Sequence, residues 1–264
     1  MKKILYIISA LLIIGILSSC QNDDTLRVGM DLRWPPFETI EGDGTATGIS
    51  VDLAYALGEY LDRDVEIVDL EFGSLITSLQ TGDIDVIIGS MSITDDRALS
   101  INFSDPYFHF PLVTVLHVDA DINSVEELMS REGVRFVGPK TFVSLTIPLA
   151  QANNPIILET NDANAAILEL ISGNADAFLI SASSAAGYHA SYPNLTEIIW
   201  DPVDLSPIGM GVAFGNDDLL RDINTFISEL ETSGVYDSLR NTYDSVIAAV
   251  LPGKGLDFYI YSNE

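Results

Sequence analysis

The chain has 264 residues, with 12 Lys+Arg against 39 Asp+Glu, a formal net charge of −27 at pH 7 and a single Cys. So negative a chain is repelled by phosphate at long range, which makes nucleic acid and anionic membrane surfaces poor partners. One Cys excludes an intrachain disulfide and a paired-Cys metal site, so the fold rests on an apolar core, for which 47% hydrophobic composition suffices.

In chain order, residues 1–19 read as a targeting leader. Lys2 and Lys3 are followed by an apolar run over 4–17, shorter than the roughly 20 residues that span a bilayer. Leu17-Ser18-Ser19-Cys20 resembles a lipobox, which makes Cys20 the expected lipidation site and a lipid the expected membrane anchor. Beyond it, apolar periodicity predicts strands over 26–30, 65–70, 86–88, 113–117, 135–137, 156–158, 177–180, 197–200 and 209–214. Helices are predicted over 51–61, 75–80, 125–129, 163–172 and 217–232, the third behind the capping box Ser124-Val125-Glu126-Glu127. This alternation means α/β with a substantially parallel sheet. The last stretch, 251–261, carries bulky residues suited to docking on the body of the protein.

The most pointed motif is Gly89-Ser90-Met91-Ser92-Ile93-Thr94-Asp95-Asp96-Arg97. It follows a strand-like run, offers two small hydroxyl residues on the same side of the chain, a Thr suited to cap a helix, and an Arg in that helix's first turn. Arg97 with Ser90 and Ser92 could satisfy both oxygens of a small carboxylate, and in a chain this acidic a carboxylate ligand needs a local cation. Catalytic signatures are lacking: there is no His-Glu-x-x-His, no Gly-x-Ser-x-Gly and no Gly-x-x-x-x-Gly-Lys. His109, His117 and His189 are isolated in sequence, so neither a metal nor a cofactor is expected.

Further blocks fall in a recognisable order. Upstream stand Arg27-Val28-Gly29-Met30-Asp31 and Trp34-Pro35-Pro36-Phe37-Glu38, then Phe72-Gly73-Ser74 and Gly82-Asp83-Ile84-Asp85. Downstream are Gly173-Asn174-Ala175-Asp176 and Gly209-Met210-Gly211-Val212. With the Gly89 to Arg97 motif, these make the chain, from about Leu26 to Tyr243, similar to the family 3 bacterial extracellular solute-binding proteins, which deliver polar amino acids to ABC importers.

That resemblance implies a two-lobed, type II periplasmic-binding-protein-like α/β fold, with the ligand in the interlobe cleft and two hinge crossings, near 111–115 and 205–209. The implied lobes are 24–112 with 208–264, and 113–207. It further implies a monomer that captures a small carboxylate-bearing solute, an amino acid most simply, for an ABC permease. Trp34 and Phe72 take the family's aromatic walls, Asp31 an acidic position near the ligand, and Thr141 a contact in the second lobe. Ser181 stands where the family's amino-acid binders place an Asp for the ligand's ammonium, so amine recognition is altered. The alternatives from other classes are a secreted enzyme of the cyclohexadienyl dehydratase type and a ligand-sensing receptor.

Overall fold

The computed structural model describes residues 25–140 and 142–260; the leader with Cys20, and Thr141, lie outside the described residues. Two five-stranded sheets form the framework. In the first, the order is Asp64–Asp69, Thr25–Met30, Val86–Ile87, Gly211–Val212 and Asn102–Phe103. In the second it is Ile156–Thr160, Arg135–Pro139, Ala177–Ser181, Phe108–His117 and Thr196–Ile208. Each sheet is parallel at one side and antiparallel at the other, because the chain passes from the first sheet to the second through Phe108–His117 and comes back through Thr196–Ile208.

Alternation along the strands explains why both faces of each sheet are covered. Ala177 and Leu179 point into one apolar cluster and Phe178 and Ile180 into another, and Ile87 likewise faces away from Val86 and Ile88. The largest cluster runs from Leu26, Leu53 and Leu57 of the first lobe to Phe178 and Leu170 of the second, so apolar packing is continuous past the crossings. Helix Ile49–Leu61 closes on strand Asp64–Asp69 at Gly58, where a Cβ would stand 2.2 Å from the Val65 side chain and 2.9 Å from the Arg63 carbonyl. Only glycine permits that approach.

Two motifs that carried the resemblance brace the lobes. Arg27 grips Asp85 through its backbone N–H and its guanidinium, and Arg135 grips Asp176 in the same way in the second lobe. The predicted cap forms: Ser124 Oγ accepts from the Glu127 N–H at 3.1 Å, and Glu127 reaches back to the Asn123 N–H at 2.9 Å.

The crossing strands are longer than the predicted 113–117 and 197–200, because Pro111, Pro202 and Pro207 are accommodated inside them. Each lies where a sheet tolerates a missing N–H: residues 108–111 pair on one side only, Thr196–Ile208 is the sheet edge, and Pro202 falls in the ladder irregularity between Ile199 and Asp204. Periodicity also missed the helices Val143–Gln151, which contains Pro148, Ala182–Ser191, rich in Ala and Ser, and Val235–Val250. After helix Val235–Val250, the final segment folds back as predicted for a docking tail. Leu256 and Tyr259 are fully buried, the Leu256 N–H donates to Asp244 at 2.8 Å, and Arg240 Nε donates to Asp257 at 2.8 Å.

Candidate functional site

Two cavities lie between the lobes and share Trp34, Pro35, Phe72, Phe142, Ser183 and Ser184. One is on the hinge side, reaching Phe37, Phe110 and Leu112; the other opens outward past Asp31, Glu71 and Asp162. The hinge-side cavity gathers six of the residues expected from sequence: Trp34, Phe72, Ser90, Ser92, Arg97 and Ser181. Asp31 lines the outer cavity instead, and Thr141 lies outside the described residues.

Arg97 belongs to the one-turn helix Asp95–Ala98, whose cap Thr94 accepts from the Arg97 N–H at 3.3 Å. Its guanidinium donates to the Ser92 carbonyl at 2.8 Å and lies 5.1 Å from the centre of the Phe72 ring. Burial pushes the guanidinium down to about 10, so it is still a cation at neutral pH. Arg97 is the only ionic side chain among the described residues lining this cavity. A low-dielectric pocket with one fixed cation favours a single anionic group.

The serines are positioned by partners far off in sequence. Ser206, on the returning crossing strand, donates to Ser92 Oγ at 2.7 Å, and Ser92 itself bridges to Ile208. Ser92 thereby keeps its own O–H to give to a ligand. Between the two serines Met91 is buried in the first-lobe core, as the alternation of side chains predicts. Ser90 has φ 52°, a left-handed conformation, and donates to Glu38 at 3.0 Å. Glu38 is fully buried, and that burial pushes its carboxyl up to about 8; the Ser50 and Ser90 hydroxyls pull against the shift and Asp31's charge adds to it.

On the second lobe, Ser181 Oγ donates to Ser184 Oγ at 3.0 Å and lies 3.4 Å from Ser183 Oγ, forming a hydroxyl trio at the start of helix Ala182–Ser191. Ser144, at the start of helix Val143–Gln151, lines the cavity with a buried hydroxyl that has no hydrogen-bond partner among the described residues. Lys140 is exposed and pairs with Glu159 at 3.6 Å. Asp31 accepts from the Phe72 N–H at 3.1 Å and pairs with Arg33 at 2.5 Å, so its carboxylate fixes the loop that carries the Phe72 ring. Sequence reasoning missed Glu38, Ser144, Ser183, Ser184 and the ring of Phe142. Of these, Ser144, Ser183 and Ser184 are hydroxyl residues in the first turn of helices that periodicity did not show, so only recognition of those helices could have found them.

The family described as bacterial extracellular solute-binding proteins, family 3, matches residues 26–245. The chain belongs to that family. An L-arginine-binding protein of Pseudomonas aeruginosa is 26% identical over 256 residues, covering 93% of this chain and 97% of the relative. A putative ABC transporter arginine-binding protein of Escherichia coli is 27% identical over 256 residues, covering 92% and 99%. Among solved structures, an ancestral arginine-binding protein bound to arginine has 31% identity and a TM-score of 0.72, covering 83% of this chain and 97% of that one. An ancestral amino acid-binding protein described as a precursor of cyclohexadienyl dehydratase has 29% identity and a TM-score of 0.71, covering 84% and 96%. This family member therefore has the two-lobed type II α/β fold and belongs to an extracellular, solute-binding class; its relatives are named for binding, not for catalysis.

Proposed function

We propose that the protein captures an amino acid in the interlobe cleft, outside the cytoplasm, and hands it to the permease of an ABC importer, as a monomer tethered by a lipid on Cys20. The observation that carries the reading is Arg97, among the described residues the one cation lining an otherwise apolar and hydroxylic cavity, held against the Ser92 carbonyl and the Phe72 ring. In this reading the guanidinium takes the α-carboxylate in a two-pronged pair, with Ser92 and the buried Ser144 as further donors. Ser90, Trp34 and Phe72 shape the wall, and Asp31 acts by holding the Phe72 loop. The trio Ser181, Ser183 and Ser184 supplies neutral oxygens for the ammonium, without the charge assistance of a carboxylate. Residues 24–112 with 208–264 form the first lobe, 113–207 form the second, and the cleft closes about the two crossing strands. The names of the relatives support binding over the dehydratase alternative.

The test is isothermal calorimetry of the soluble part, residues 24–264, against the common L-amino acids. Arg97→Ala should lose detectable binding while keeping its circular dichroism, and Ser181→Asp should tighten binding by roughly ten-fold or more, the worth of a charge-assisted bond. An Arg97→Ala variant that binds with wild-type affinity sinks the carboxylate assignment. A Ser181→Asp variant that binds more weakly means the ligand presents no ammonium there.

A further inference from the structure

The ring of Phe142 occupies a place that a ligand was expected to fill. Trp34 and Phe72, from the first lobe, are the expected walls for a ligand's side chain, yet Phe142 of the second lobe sits 5.5 Å from one ring centre and 5.1 Å from the other. Phe142 lines both cavities, as do Trp34 and Phe72, and of these three rings it is the one that the second lobe contributes. Its backbone is set by a turn, with the Phe142 N–H donating to the Pro139 carbonyl at 3.0 Å, and helix Val143–Gln151 begins at the next residue.

We propose that Phe142 is a size gate, which restricts the hinge-side cavity to amino acids with short side chains; the proposal rests on the amino-acid reading above. The Arg97 guanidinium lies against the Phe72 ring, so a carboxylate bound there starts beside the three-ring contact. Towards the hinge the lining is Phe37, Phe110, Leu112 and Leu179, which offers a long cationic side chain no counter-charge. The acids that could pair with such a chain, Asp31, Glu71 and Asp162, line the outer cavity. To reach them the side chain must displace the Phe142 ring, which forfeits both aromatic contacts and the burial they bring. A methyl or hydroxymethyl side chain stays inside and leaves the gate shut.

The experiment compares L-alanine, L-serine and L-arginine by calorimetry on the wild type, Phe142→Ala and Phe142→Leu. The wild type should bind alanine or serine at least ten-fold tighter than arginine. Phe142→Ala should cut that ratio by ten-fold or more, mainly by tightening arginine, and Phe142→Leu should fall between. The proposal is overturned if the wild type prefers arginine, or if the ratio is the same in all three proteins. Absence of binding for every amino acid overturns the underlying reading and the gate with it, an outcome distinct from tight but unselective binding.

Discussion

At the scale of single residues, the site depends on groups that hold other groups. Ser206 sets the hydroxyl of Ser92, Asp31 sets the Phe72 loop, and Glu38 takes the hydroxyl of Ser90. Glu38 also ties stability to pH. Its ordinary value of 4.5 is pushed up to about 8 by burial, so between those values the folded chain keeps a proton that the unfolded chain has released. Stability from this group therefore falls as pH rises from about 4.5 to about 8 and levels off above, with a slope of about 1.4 kcal/mol per pH unit. Glu38→Gln retains an oxygen for Ser90 and removes the proton linkage. Urea titrations from pH 5 to 9 should show the variant gaining on the wild type with each unit up to about pH 8; parallel curves would mean that Glu38 ionises freely.

Among the elements, the C-terminal segment is the one with an unexpected post. The family match ends at residue 245, yet the following helix Asp257–Ile260 packs on the crossing strand Phe108–His117. Tyr259 brings its ring 4.9 Å from Phe37 and 5.3 Å from Phe110, both of which line the hinge-side cavity. The tail is thus part of the wall behind the site. Tyr259→Ala removes a fully buried aromatic ring and should cost about 3 to 5 kcal/mol of stability. Chemical denaturation measures this directly; a loss below about 1 kcal/mol would show that the tail is a loose appendage.

For the whole molecule, net charge and the proposed lipid attachment bear on where it works. A formal charge of −27 disfavours the compact state through self-repulsion and favours a salty medium, in which that repulsion is screened within about a nanometre. No described helix is long and apolar enough to cross a membrane, so attachment in the proposed form rests on Cys20. Cys20→Ser should move the protein from the membrane pellet to the soluble extracytoplasmic fraction of expressing cells. A variant that stays in the pellet after a high-salt wash would require another anchor.

The sequence by itself determined the α/β class and the cluster Ser90, Ser92 and Arg97, because these depend on local spacing: alternating apolar residues, a capping Thr and a short strand-to-helix turn; the strand Asn102–Phe103 and the helix Val235–Val250 of the first lobe escaped it. Trp34 and Phe72 were legible through the family resemblance, which puts its aromatic walls at those positions. Other features were decided only by tertiary structure. Ser206 meets Ser92 across 114 residues and Ser90 meets Glu38 across 52, and no periodicity encodes a pairing at such range. The crossing strands outran their predicted ends because a proline is tolerated wherever the ladder leaves its missing N–H unneeded, and an edge exists only once the sheet is assembled. Nothing in the local sequence singled out Phe142, and the helix that follows it was itself missed. The Phe142 ring stands against Trp34 and Phe72, a contact between residues far apart in sequence that the packing of the two lobes decides and no stretch of chain encodes.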